Sequence, residues 1–353
     1  MKILVIFPGF NVGGGMTSVV KSFLEKQTEN EIDVEFIETY HDSAKIKSLV
    51  KFITAFFKML FSIIFTKYDL VHIHTASKGS FYRKSIFCLL AKFFNIPIVL
   101  HMHGGGFKEF YLNKNFIVQA YINFIFQHSI DELIVLSSIW HDWFNGTFNL
   151  KKKPKTLKNS VNITCGNKVI TTTKNNFKCI FVGRLVKEKG IDDLLAATVN
   201  LSSNTGLSIE LIGDGEINKY KSIVNDLSLN DKVSFSGWLS NKDSIEKIKQ
   251  ADVLVLPSYK EGLPMVILEA MACKTAIIST NVGGIPNVIS NNVNGLLFTP
   301  GRIDELERAV NELMTNNELY ERIVENAYKD YLNEYQLDAV FPQLIKIYKG
   351  VLK

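Results

Sequence analysis

Residues 251–272 read ADVLVLPSYKEGLPMVILEAMA. From 251 to 257 the apolar run is continuous rather than alternating, which suits a strand of a parallel sheet covered on both faces. A loop holding Lys260, Glu261 and Gly262 follows. Pro264 suits the first turn of a helix, where its missing N–H costs nothing, so 264–273 is expected to be helical. Strand, loop and helix make one βα unit, and the same grammar runs outward in both directions. In the first half, strands are expected at 2–7, 32–38, 69–75, 96–102 and 131–137, with helices near 16–28, 44–66, 80–94 and 113–128. In the second, strands at 177–183, 207–213, 232–236, 251–257, 275–279 and 295–298 alternate with helices near 190–202, 214–228, 241–249, 264–273, 303–315 and 318–331. The chain is therefore α/β, with two doubly wound parallel-sheet domains facing across a cleft. The domains are expected at 1–160 and 177–335, joined by a polar linker at 161–176. A last helix in 336–353 is expected to pack back on the first domain.

A length of 353 residues agrees with two domains. With 25 Phe and only 8 Pro, the chain has the composition of packed cores, not of disorder. The opening MKILVIFPGF reads as a first strand and lacks the long apolar core of a signal peptide. Cys88, Cys165, Cys179 and Cys273 are scattered, which fits free thiols in the cytosol and argues against a disulfide or zinc framework. Charge is uneven. Residues 1–160 carry 19 Lys and Arg against 12 Asp and Glu, residues 161–353 carry 21 against 23, and 43–130 carry 11 against 2. Such a basic first half attracts anionic surfaces.

The segment 45–66 places Lys47, Lys51, Thr54, Lys58 and Ser62 on one polar stripe of an otherwise apolar helix. Its lysines argue against a bilayer span. It either packs on the sheet or lies on an anionic membrane with Lys67, Lys78, Arg83, Lys84 and Lys92 adding charge, and both can hold together.

Several constellations suggest a polar, anionic ligand. The loop GFNVGGGMTSVV (9–20) opens a helix, and glycines with a helix N-terminus suit a phosphate. It is neither a P-loop nor G-x-G-x-x-G, and a tight turn also explains it. In FVGRLVKEKG (181–190), Arg184 and Lys189 follow a strand, where two cations can hold a diphosphate. Solvated surface cations are the plainer alternative. The helix start after Pro264 offers the amides of Leu263, Met265 and Val266 to a phosphate. Glu261 and Glu269 flank it as hydroxyl-gripping carboxylates. Two histidine pairs, His72-x-His74 and His101-x-His103, each lie on one strand face. No carboxylate or cysteine cluster completes a metal set, so no metal is expected. His103 is read as a hydrogen-bonding group, the other histidines as structural.

Taken in order, FVGRLVKEKG, IGDGE, VLPSYKEGLPMVILEAMACKTAIISTNVGGIPNVI and NGLLFTPG closely resemble glycosyltransferase family 4, the retaining family with the GT-B fold of two Rossmann-like domains. The match is dense over about 180–300 and includes Glu261 and Glu269 at the family's E-x7-E spacing. The resemblance implies that Glu261 and His103 contact the donor sugar as the catalytic pair. It gives Glu269 the ribose, and Gly237 and Leu239 the base. Gly14, Gly15, Arg184, Lys189, Gly262, Leu263, Met265 and Val266 would hold the diphosphate, so neither metal nor cofactor is needed. Retention would follow from front-face attack with no covalent nucleophile. Asn287 stands where the family has Glu, and Ser160 where it has Gly.

The expected activity is transfer of a hexose or N-acetylhexosamine from a nucleotide-sugar to a glycan or polyprenyl-diphosphate-linked saccharide, in cell-surface polysaccharide synthesis. UDP-sugars are expected, with GDP-mannose still open. The expected location is cytoplasmic, peripheral at the inner face of a bacterial membrane; nucleic acid is not an expected partner. A non-catalytic carbohydrate-binding or scaffold subunit and a nucleotide-sugar epimerase are the alternatives. The missing glycine fingerprint disfavours an NAD oxidoreductase.

Overall fold

The computed structural model describes residues 1–26, 32–41, 45–103, 105–164, 176–201 and 206–353. Residues 165–175 of the expected linker, Cys165 and Gly104 lie outside the described residues. In chain order the first elements are β1 (Lys2–Phe7), α1 (Gly15–Lys26), β2 (Asp33–Glu38), α2 (Lys45–Phe65), β3 (Leu70–Thr75), α3 (Gly79–Phe93) and β4 (Ile98–Met102). Next come α4 (Phe107–Leu112), α5 (Phe116–Phe124), β5 (Glu132–Val135), α6 (Ser138–Thr147) and β6 (Lys155–Thr156). Then β7 (Phe177–Val182), α7 (Ile191–Asn200), β8 (Leu207–Ile212), α8 (Ile217–Asp226), β9 (Val233–Gly237), α9 (Asn241–Gln250) and β10 (Val253–Leu256) follow. The chain finishes with α10 (Met265–Ala272), β11 (Ala276–Thr280), β12 (Leu296–Phe298), α11 (Ile303–Thr315), α12 (Asn317–Asp330) and α13 (Leu337–Val351).

Two compact units result, one of Met1–Asn162 with Tyr335–Lys353, the other of Ile163–Glu334. Among the described residues each carries one six-stranded sheet, ordered β2-β1-β3-β4-β5-β6 and β12-β11-β10-β7-β8-β9. The strand pairs are parallel throughout. This is the α/β, doubly wound class that the unbroken apolar runs predict. Burial follows the pleat, because alternate side chains take opposite faces. In the first unit Leu4, Ile6, Val71, Ile73 and Leu100 pack with Phe81, Phe87 and Phe126. Ile3, Val5, Phe7, Leu70 and Val99 pack on the other face with Val340, Phe341 and Leu344 of α13.

Some local readings change. The helix expected over 113–128 is split. Asn115 caps α5 by accepting from the Val118 N–H (3.1 Å), and a wider helical turn at Ile125–Ser129 closes the segment. Helix α6 was not expected, although Trp140, Trp143 and Phe144 have i, i+3, i+4 spacing and pack on the core. Lys84, expected among the surface cations, is instead buried against the Thr39 hydroxyl.

Helix α2 packs through Ala55 and Met59. Three members of its polar stripe bond to the neighbouring strand. The Lys51 ammonium donates to Glu38 (2.7 Å), Ser62 to Glu35 (3.0 Å) and Lys58 to the Phe36 carbonyl (3.2 Å). The outward side is consequently apolar, with Ile46, Leu49, Ile53, Phe57, Phe61 and Phe65 exposed. Ile46–Phe65 spans 20 residues with a mean hydropathy of 1.8, long and apolar enough to cross a membrane by length and composition alone.

Candidate functional site

In the second unit, β7 and β10 lie side by side, with β8 and β9 beyond one and β11 and β12 beyond the other. Chain direction across the sheet reverses there, and at such a switch point the loops beyond the strand ends part to leave a ligand crevice. The loop after β7 carries Arg184 and Lys189, and the loop after β10 carries Glu261. The structure joins two of them. The Lys189 ammonium donates to Glu261 Oε1 at 2.5 Å, and the same oxygen accepts from Ser258 Oγ at 2.7 Å. The Glu261 side chain is only 8% exposed and that of Lys189 27%. Arg184 is not part of this pair. Its side chain is open to solvent, 3.6 Å from Asp214.

Two glycines fix the loops. Gly190 (φ +69°) follows Lys189, and a Cβ there would meet the Pro257 carbonyl oxygen at 2.0 Å. Gly283 (φ +58°) faces the Glu261 carbonyl, where a Cβ would come within 1.9 Å. Its neighbour Gly284 donates its N–H to the Gly262 carbonyl (2.6 Å). Backbone thus approaches backbone around Glu261 more closely than any side chain would allow.

Pro264 stands at the N-cap of α10, and the helix proper begins at Met265. That is one residue later than the sequence suggested. Met265 and Val266 are its first helical residues, whose amides have no carbonyl of the preceding turn to meet; Leu263 lies in the loop. Helix α10 is apolar all round because it packs against α9, α12 and β11. Glu269 is consequently buried. Burial pushes its carboxyl up to about 7, partly offset by a hydrogen bond from Asn241 Nδ2 to Oε1 (2.9 Å). Asn241 opens α9, and nothing in the sequence marks it as a partner. Gly237 ends β9 with φ +66°, and Leu239 follows it. Asn287 is exposed in a short turn of 3-10 helix at Ile285–Asn287.

The other expected site residues belong to the first unit. Gly14 (φ +121°) accepts at its carbonyl from the Thr17 N–H (3.1 Å), and Gly15 begins α1. This loop follows β1, which neighbours β3 at that sheet's own reversal. His103 lies just past β4. Its N–H donates to the Thr75 carbonyl (2.8 Å), and its Nε2 shares a hydrogen bond with Nδ1 of His74 (2.8 Å). Burial and neighbouring imidazoles push His72 down to about 3 and His74 and His101 well below the usual range, so these rings are neutral. Ser160 is fully buried and its hydroxyl has no partner among the described residues.

The model for the family "Glycosyl transferases group 1" matches residues 167–330. An uncharacterized glycosyltransferase of Methanocaldococcus jannaschii is 26% identical over 99% of this chain and 98% of its own length. Among solved structures, sucrose-phosphate synthase from Thermosynechococcus elongatus superposes with a TM-score of 0.79 at 18% identity, covering 99% of this chain and 98% of that one. HepE of Anabaena, in complex with UDP-glucose, does so with a TM-score of 0.75 at 18% identity, covering 99% and 100%. The structural likeness gives the fold, GT-B. Over residues 167–330 the chain is similar to the group 1 glycosyl transferases.

Proposed function

We propose that the chain transfers a hexose or N-acetylhexosamine from a UDP-sugar to a glycan or lipid-linked saccharide, with retention of anomeric configuration and no need of a metal in the transfer. The observation that carries this reading is the Lys189–Glu261 pair at the switch point of the second sheet, within a group 1 domain. The UDP-glucose complex of HepE supports a UDP-linked donor. Arg184, Lys189 and the amides at the start of α10 take the diphosphate. Gly262 lets that backbone approach. In the first unit the Gly14–Gly15 backbone suits a phosphate. Glu261 orients Lys189 while its second oxygen accepts from the sugar, and in the first unit His103 is the group expected to donate to a sugar hydroxyl. Glu269 accepts from the ribose hydroxyls, and Gly237 and Leu239 meet the base through the backbone.

The chemistry asked of these groups is stabilisation of the departing diphosphate. Removing one preorganised donor of this kind costs roughly 3–4 kcal/mol of barrier. The test is a screen of labelled nucleotide-sugars for binding and slow hydrolysis, in the presence of a chelator and with Lys189→Ala beside wild type. Binding of a UDP-sugar, a turnover loss of roughly 100-fold or more in the variant, and an axial or equatorial product bond matching the donor support the reading. No binding to any nucleotide-sugar sinks it, and free epimer released without acceptor would reassign the site to epimerisation. For the acceptor, the apolar outer side of α2 favours a substrate presented at the inner face of a membrane, for a cell-surface polysaccharide.

A further inference from the structure

We propose that His72, His74 and His101 form a buried site for one divalent transition-metal ion, zinc foremost, beneath α13 in the first unit. The sequence shows two separate histidine pairs. The β3–β4 register makes them one group, because His74 lies opposite His101 and alternate residues share a face. His72 and His74 have no exposed surface and His101 has 1%. Their candidate donor atoms all lie within 4.8 Å of one another.

The pattern of hydrogen bonds is that of ligands awaiting an ion. Nδ1 of His72 is engaged by the Tyr348 hydroxyl (2.7 Å), and Nδ1 of His74 by His103 (2.8 Å). Nε2 of both rings, and both nitrogens of His101, are buried without a partner among the described residues. Metal-binding histidines have this division, one nitrogen on the ion and the other on an outer partner that sets the tautomer. A buried polar atom left unpaired costs about 1–3 kcal/mol, so an ion shared by the three rings removes several such costs at once. Neutral imidazoles bind without releasing protons. An all-nitrogen set favours zinc, copper or nickel over calcium or magnesium. Zinc bonds of about 2.0–2.1 Å place tetrahedral donors about 3.4 Å apart, so the rings need to close inward by about an ångström. Metal on Nε2 of His74 leaves the proton on Nδ1, which then donates to His103 Nε2 and leaves the ring N–H of His103 at Nδ1. The ion would thereby fix the tautomer of a residue that the proposed function places on the sugar. That last consequence rests on the reading above, whereas the site itself does not.

The test uses tag-free full-length protein from zinc-replete cells. Elemental analysis after gel filtration is expected to give close to one zinc per chain. Strong chelation should lower the melting temperature and zinc should restore it, while cobalt(II) should give the visible bands of a tetrahedral site. Tyr348→Phe, which removes the outer partner of His72, should weaken zinc binding by about 10- to 100-fold with an unchanged circular dichroism spectrum. His101→Gln should abolish it. Protein that carries no zinc, shows no tetrahedral cobalt spectrum and melts alike with and without zinc overturns the proposal, and does so on wild type alone should a variant misfold. None of these readouts depends on glycosyl transfer, so failure here and failure of the proposed function are separable.

Discussion

Glu261 and Glu269 are the same residue type eight positions apart, and their surroundings give them opposite conditions. Glu261 meets a cation and a hydroxyl. Glu269 sits inside an apolar helix bundle with a single amide donor, and burial raises its carboxyl to about 7 against an ordinary 4.5. The folded state therefore holds this proton more tightly than the unfolded chain. Stability from this group is greatest below about pH 4.5 and falls as pH rises towards 7, by at most roughly 3 kcal/mol. Glu269→Gln keeps the acceptor for Asn241 and removes the titration. It is expected to match wild type near pH 5, exceed it at pH 8, and bind the donor less well. Urea unfolding at both pH values checks this, and parallel curves for the two proteins would contradict it. The spacing of Glu261, Glu269, Arg184 and Lys189 was legible because strand, loop and helix fix where each falls. Asn241 was not, because its contact crosses 28 positions between two helices that no local pattern links.

At the scale of elements, the loops around Glu261 depend on close backbone approach. Gly283→Ala puts a Cβ against the Glu261 carbonyl in a left-handed conformation, which alone costs about 1–2 kcal/mol. Thermal melts should show a loss of about 2 kcal/mol or more once the overlap is added, with donor affinity falling in parallel. Helix α2 sets a different question. The sequence showed its polar stripe and left open whether that stripe faces water. Lys51, Lys58 and Ser62 of it instead face β2, a pairing that depends on which sheet edge α2 covers. Lys51 and Lys58 are occupied there, so most of any hold on a lipid surface is expected from the phenylalanines. Phe57→Asp with Phe61→Asp is expected to abolish co-sedimentation with anionic vesicles and leave the melting temperature within a few degrees. Wild-type binding should survive moderate salt, as apolar insertion is not screened. Equal sedimentation of wild type and variant would remove α2 from that role. Helix α6 escaped notice for lack of a long apolar period, although its aromatic spacing was there to be read.

At the scale of the molecule, the alternation of apolar runs was enough to announce two doubly wound sheets, since only parallel βα units bury strands on both faces. It could not show that β3 and β4 bring four histidines into contact, which needs the register. The first unit is discontinuous, and its face of Ile3, Val5 and Phe7 is completed by Leu337, Val340, Phe341 and Leu344. Each such side chain contributes about 1.5–3 kcal/mol on burial, against a typical total stability of 5–15 kcal/mol. Deleting residues 335–353 should therefore unfold the first unit and spare the second, seen in hydrogen exchange as lost protection confined to residues 1–162. Retained protection there would show that the face does not need its helix. The same arrangement imposes an order on biosynthesis. At about 5–20 residues per second, the ribosome delivers β1 to β6 and then needs on the order of 10 to 30 s to make the intervening unit before α13 emerges. Throughout that interval the nascent first sheet presents a bare apolar face. Chaperones are thus needed most by the half of the chain that is made first, because it is the half that finishes last.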